Sequence, residues 1–381
     1  MAFSIPFSIF IGQIAAGLVL LTGLFAMINS RGYDMIRSRW FILIPLFLLL
    51  TLISAALSGY FNASVPRLSK IWVMLCFFPL VAMSPWYSGK KAIDFLILGT
   101  TVASIFALYR YFSGITGRAA PFSGGYTTLA ISIAGVLPFT IQNMVSTRAT
   151  LKWIYICSGI LMFSALFFTK TRAGWAAAVI GLLIIGFSIN KKRTFIGLIL
   201  GLAILAAMPT TRKIALDRFR DDRKGGVSSG RTVIYQAALV PLENLPFFGY
   251  GPGSFNRLVS NETLERIGDT GIKSWHSTPL EILLESGPLT LFIFMAMAFL
   301  PLRESMRQAR LFPESRRDSY AAAASLTAIY LAGLTTNLIR DFMLLSLIII
   351  IWSIPAAQLA RISYRSQYRK ENNTGGRENG E

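Results

Sequence analysis

Three features of the sequence predict an all-α polytopic membrane protein. The first is composition: 54% of the 381 residues are hydrophobic and only 14% are charged, whereas soluble domains carry about 25% charged residues. The second is hydropathy. Eleven segments (5–28, 40–58, 71–86, 92–112, 126–144, 153–169, 174–190, 194–209, 286–302, 319–337 and 342–360) are long and apolar enough to span a bilayer core that needs about 20 residues of helix. The third is an aromatic belt, with Trp40, Trp72, Trp86, Trp153 and Trp175 at or near segment ends, where amphipathic rings favour the membrane interface. The same figures exclude a disordered chain and one or two soluble domains.

The first segment reads as a retained anchor. Its apolar run, 5–27, is too long for a signal peptide core, and no charge precedes Arg31 to serve as a basic leader. Orientation follows from the short connections, because cytoplasmic loops collect Lys and Arg. One alternate set, including the loops 29–39 and 303–318 and the tail beyond 360, holds 20 of the 37 basic residues. The opposite set holds seven: Arg67, Lys70, Arg110, Arg118, Lys170, Arg172 and Arg340. The C-terminus is therefore expected inside. Eleven spans put the N-terminus outside, and a twelfth would move it inside.

Four parts are expected: a transmembrane bundle over 1–209, a polar external module over 210–285, C-terminal transmembrane helices over 286–361, and a disordered cytoplasmic tail over 362–381. The 76-residue connection is far longer than ordinary loops. It keeps Tyr235, Phe247, Phe248, Tyr250, Phe255 and Trp275, too many aromatics for a tether. Residues 231–245 read as an amphipathic helix with Val233, Ala237, Val240 and Leu242 on its apolar face. Pro246 and the run Gly249-Tyr250-Gly251-Pro252-Gly253 break it.

Cys76 and Cys157 lie in apolar runs and His276 is the sole histidine, so neither a disulfide framework nor a Cys/His zinc site can be assembled. No Asp-x-Asp pair or metal-ligand cluster lies on the external side, so chemistry there is expected to be metal-free and without a cofactor. The net charge of +19 fits either nucleic acid or an anionic membrane and its ligands. Since most of it divides by topology, nucleic acid is not needed as a partner.

His276 precedes Ser277-Thr278-Pro279-Leu280-Glu281. Thr278 as N-cap, Pro279 as first helical residue and Glu281 three after the cap would form a capping box. A helix N-terminus favours anions and disfavours imidazolium. His276 is thus expected as a neutral base beside an anion site, against the plainer reading of an interfacial histidine bonded to backbone. Glu281 and Glu285, four apart on one face, either orient His276 or face polar surroundings. Lys170 and Arg172 occupy a tight external turn, where positive charge runs against the orientation rule and a membrane-bound anion would offset it. Arg172 is preferred because a guanidinium binds two phosphate oxygens at once; snorkelling is the plainer fate of both. Arg231 follows Val227-Ser228-Ser229-Gly230 and opens the amphipathic helix, as an anion-binding or merely solvated arginine. The basic run over 212–224 reads as headgroup-facing or solvated. The glycine run lacks a following Lys-Ser/Thr pair and reads as a tight turn allowing close backbone approach.

Three stretches carry a family likeness. They are Thr171-Arg172-Ala173-Gly174-Trp175; Ser229-Gly230-Arg231 continuing through Ala237-Ala238-Leu239 to Pro246-Phe247-Phe248-Gly249-Tyr250-Gly251-Pro252-Gly253-Ser254-Phe255; and His276-Ser277, nine residues, Gly287, two residues, Thr290. Together they resemble the O-antigen ligase family, within a superfamily that also holds O-antigen polymerases. The resemblance implies a GT-C-like membrane glycosyltransferase with a periplasmic active site. Its donor would be a glycan on undecaprenyl pyrophosphate and its acceptor a sugar of lipid A–core. It implies pyrophosphate binding by Arg172 and Arg231 and general-base catalysis by His276, with inversion. Lys170, Ser277, Glu281, Tyr250 and Gly251 are supporting candidates within the same motifs. Family members usually have twelve helices against the eleven spans read here. A polymerase joining lipid-linked repeat units is the nearest alternative. A transporter or flippase of an anionic solute is disfavoured by the near absence of ionisable residues inside spans two to eight.

Overall fold

A computed structural model describes residues 1–2, 9–29, 39–83, 89–122, 124–147, 149–197, 231–267 and 272–357. Among them there are helices and turns but no strand, as a bilayer demands of a chain that must satisfy its backbone within each segment. Six helices are long and apolar enough to cross a membrane: Phe61–Ala82, Gly89–Phe112, Tyr126–Ser146, Leu151–Thr169, Arg172–Ile189 and Thr278–Leu311; Ile9–Phe25, Leu43–Leu57 and Phe342–Ala357 are shorter apolar helices. The protein is an all-α polytopic membrane protein. The segment expected over 71–86 starts earlier, at Phe61, and tightens to a 3-10 turn over Trp72–Cys76. Asn62, Ser64, Arg67 and Lys70 hid its first turns from a hydropathy reading. Most of the segment expected over 194–209, the basic run over 212–224, the Val227–Gly230 approach and the tail beyond 357 lie outside the described residues.

Tyr126–Ser146 is the central helix, buried on nearly every side. The Ala149–Thr169, Arg172–Ile189 and Arg316–Gly333 helices pack around it. Small residues let the backbones approach, as membrane helices require when apolar burial gives no preference for protein over lipid. Gly174 rests on Ala130, Gly181 on Ala328 and Pro138, and Gly135 under Ile329. Arg316–Gly333 is less apolar than its neighbours because it fills this interior with Ala321 to Ala324, Ala328 and Ala332. Polar side chains bridge the helices at one end. Gln142 Nε2 donates to Asp318 (2.7 Å), and Asp94 accepts from Asn143 Nδ2 (3.0 Å) and the Tyr155 hydroxyl (2.8 Å).

At the opposite end the Thr278–Leu311 helix is broken at Gly287 (φ 85°, ψ 171°), a conformation essentially confined to glycine. Pro288 has no N–H to give the Leu284 carbonyl, and the break removes the helical donor to Glu285. Tyr250 and Gly251 supply what is missing: their amides donate to the carbonyls of Leu284 and Glu285, both at 2.8 Å. Ser54 Oγ adds a second bond to the Glu285 carbonyl (2.7 Å). Thr290 Oγ1 spans the break to the Ser286 carbonyl (2.7 Å). The glycine run is thus a turn that lets backbone meet backbone, as expected. A Cβ on Gly249 would run into Glu285, one on Gly251 into Ser58, and one on Gly287 into the Phe247 carbonyl.

Gly287→Ala should therefore cost about 1–3 kcal/mol from backbone strain alone, with the collision adding to it. The check is thermal unfolding of the purified protein in detergent. A midpoint equal to wild type would contradict this account of the break.

Candidate functional site

The turn between two central helices is only two residues long. Lys170 closes the first helix with φ 54°, its amide donating to the Phe167 carbonyl (3.2 Å). Thr171 is the N-cap of Arg172–Ile189, but its hydroxyl donates to the Thr169 carbonyl rather than capping the helix. Arg172 is therefore the first residue of a helix without a side-chain cap, and its side chain is exposed. Lys170 Nζ donates to the Gly117 carbonyl (3.3 Å) and lies over the Tyr111 ring. Trp175 stacks on Phe167 at 5.6 Å. Below the turn, Phe163, Leu166, Phe167, Trp175, Val179 and Leu182 line an apolar groove of about 250 Å³.

Arg231 opens the Arg231–Glu243 helix. The helix matches expectation, but its apolar face is turned by one residue. Ile234, Ala238 and Pro241 are the buried positions and Val240 is exposed, because they pack on Phe255, Val259, Leu264, Trp275 and Leu284, side chains no local periodicity can show. Tyr250 ties the module together: its hydroxyl lies 2.9 Å from the carbonyls of Pro241 and Asn244, one proton shared between two acceptors. Tyr235, one turn after Arg231 and so on the same face, donates to the His276 carbonyl (3.4 Å). The helix that Arg231 opens thereby meets the His276 peptide, although the two residues are 45 apart in sequence.

His276 has φ 52°. Among the described residues, it and Lys170 are the two non-glycine residues with positive φ, a strain that persists only where the surroundings impose it. Trp275 is fully buried, edge-on to Phe255 at 4.9 Å. The helix begins at Thr278 as expected, but the capping box does not form. Ser277 is the N-cap, without a side-chain cap bond. Thr278 Oγ1 donates to the Thr336 carbonyl (2.7 Å) and accepts from the Leu338 amide (2.9 Å). Glu281 reaches back past the cap to accept from the Trp275 amide (2.9 Å).

Arg340, which the sequence reading counted but did not single out, pairs with both Glu281 and Glu285, the latter at 2.6 Å. The two carboxylates are nearly or wholly buried. That helix face carries this ion-pair cluster, and Glu281 also holds the Trp275 amide next to His276. The signal that could have found Arg340 is the one applied to Arg172: a cation in a short external turn. Next to it, Asp341 caps the last helix, accepting from the Met343 amide (2.9 Å) and from Thr128. Burial raises its pKa, and these hydrogen bonds oppose the shift. Arg67 joins Arg340, Glu285, Ser286 and Pro252 around a narrow pocket.

Arg172 belongs to the same end. Gly181 of its helix lies on Ala328, and Ser188 and Ile189 line a polar pocket with Arg316, Arg317 and Asp318. The two helices are therefore antiparallel, which puts Arg172 at the end where Gly333 meets Thr278. Arg172, Arg231 and His276 each stand at or just before a helix N-terminus, where unpaired amides and the helix dipole favour an anion. Among the described residues, no group of three or more His, Cys, Asp or Glu is placed to hold a metal ion.

A family model described as O-antigen ligase matches residues 157–295, the stretch that holds all three residues, the glycine run and the Gly287 break. Over this stretch the chain is similar to the O-antigen ligase family. No curated protein matches it. The match supports a membrane glycosyltransferase-like enzyme of the ligase and polymerase type.

Thr278→Val, which deletes one buried donor and one acceptor, should lower stability by about 1–3 kcal/mol, whereas Thr278→Ser should keep most of it. Denaturation of the two variants in detergent checks this; a loss in Thr278→Ser with little in Thr278→Val would show that the threonine methyl, not its hydroxyl, holds the 335–338 turn.

Proposed function

We propose that this protein is an O-antigen ligase of the bacterial inner membrane, transferring a polysaccharide from undecaprenyl pyrophosphate to a sugar of lipid A–core on the periplasmic face. The reading rests chiefly on one observation: Arg172, Arg231 and His276, each at a helix N-terminus, share one end of the bundle and fall within the segment matched by the ligase family. Topology supports the periplasmic assignment, since this end carries the connections poorer in Lys and Arg. The apolar groove beside Arg172 offers a surface for a prenyl chain whose pyrophosphate reaches the arginine.

In this mechanism Arg172 and Arg231 grip the pyrophosphate oxygens, screening charge in the ground state and stabilising the leaving group as it departs. His276, neutral at a helix N-terminus, takes the proton from the acceptor hydroxyl as that oxygen attacks the anomeric carbon. The bond from carbon to the pyrophosphate oxygen breaks on the opposite face, so configuration inverts. No metal is required for charge neutralisation, because the two guanidinium groups supply it. Lys170 supports Arg172 by closing its turn onto the neighbouring loop, and Ser277, Glu281, Tyr250 and Gly251 support the segment that carries His276.

His276→Ala should abolish ligation in cells while long polymer accumulates on its lipid carrier, and Arg172→Ala or Arg231→Ala should reduce it by on the order of 100-fold or more. Gel analysis of lipopolysaccharide and of the lipid-linked pool checks both. Normal ligated lipopolysaccharide in the His276→Ala strain would overturn the proposal. Accumulation of single repeats would assign the polymerase reaction instead.

A further inference from the structure

We infer that Arg340 is a positioning residue for His276, acting through Glu281 and the Trp275 amide. The inference rests on the reading of His276 as the base. His276 keeps a left-handed backbone that an unrestrained residue would leave, so something must fix both flanks of its peptide. On one side Ser277 and Thr278 begin a helix, and Thr278 is locked to Thr336 and Leu338. On the other, the Trp275 amide is held by Glu281 Oε2 (2.9 Å). That carboxylate is completely buried. An ionised carboxylate in such a place is sustained only by a paired cation, and Arg340 provides it while also binding Glu285.

The same short segment, 335–340, thus holds the His276 peptide twice, through Thr278 and through Arg340. A lysine could not reproduce the second hold, because its single ammonium lacks the fork that reaches two carboxylates at once. Removing the guanidinium leaves Glu281 buried and unpaired. It must then take up a proton or pull water in, and either change loosens its grip on the Trp275 amide. A glutamine at 281 would need no cation, yet its Oε1 would still accept from that amide. The proposal therefore makes a specific demand: loss of Arg340 should be partly repaired by neutralising Glu281, the one of its two partners that holds the Trp275 amide.

The experiment compares wild type, R340A, E281Q and R340A/E281Q in detergent, with transfer kinetics on a lipid-linked glycan and a lipid A–core acceptor. Amide hydrogen exchange of the peptide covering 272–281 is read on the same samples. In R340A, kcat should fall on the order of 100-fold, as misplacement of a reacting group by an ångström does, while the donor KM stays within about threefold. Exchange at Trp275 should quicken. R340A/E281Q should recover at least about tenfold of the lost kcat, or ~1.4 kcal/mol of barrier, and slow exchange. A raised donor KM with kcat preserved would overturn the proposal, since Arg340 would then hold the anion itself. Unchanged exchange in R340A, or a double variant that folds but recovers nothing, would overturn it too. If R340A does not accumulate, R340K carries the same comparison, with E281Q/R340K as its repair. Should wild type transfer nothing to lipid A–core, the proposed function fails on its own, and the exchange measurement still decides whether Arg340 holds the His276 peptide.

Discussion

A helix that must break inside a membrane-spanning bundle creates carbonyls with no donor, and in a medium without water each one is costly. In this protein the break at Gly287 exposes the carbonyls of Leu284 and Glu285, and the fold is arranged around their recapture. The amides of Tyr250 and Gly251 close the gap, which draws the polar connection down onto the bundle. Glycines at 249 and 251 are needed because the chains touch backbone to backbone there. Once the connection is seated, Tyr250 fixes the end of the Arg231–Glu243 helix and Tyr235 of that helix meets the His276 carbonyl. Two motifs far apart in sequence are in this sense one structural device.

The same device explains how a mostly apolar chain can present a cluster of charge at a membrane interface. Arg340 pairs with both Glu281 and Glu285 in the interior, so one guanidinium is shared by two buried carboxylates beneath the site. Above it lie the starts of the Arg172–Ile189, Arg231–Glu243 and Thr278–Leu311 helices. Two of these helices begin without a side-chain cap, at Thr171 and Ser277.

The helices were legible in the sequence because the bilayer imposes length and hydropathy on each segment independently of its neighbours. Boundaries were less so: the helix from Phe61 carries Arg67 and Lys70 at its interfacial end, and hydropathy discards such turns. The three central residues of the proposed site were also readable, since Arg172 and Arg231 are cations at helix starts and His276 is the sole histidine. Other features depend on contacts between distant residues. The apolar face of the Arg231–Glu243 helix is set by Phe255, Trp275 and Leu284, and Glu281 abandons a capping box for Arg340, 59 residues away. No local pattern encodes either choice. Arg340 alone left a trace, as a cation against the orientation rule.

The central claim is glycan transfer from a polyprenyl pyrophosphate to lipid A–core, and reconstitution tests it most directly. Purified protein would be given a defined undecaprenyl-pyrophosphate-linked glycan and lipid A–core in the presence of a chelator. The account predicts a glycan-bearing lipid A–core and free undecaprenyl pyrophosphate in equal amounts. Elongation of the lipid-linked glycan with no product on lipid A–core, or transfer that stops when the chelator is added, would contradict it.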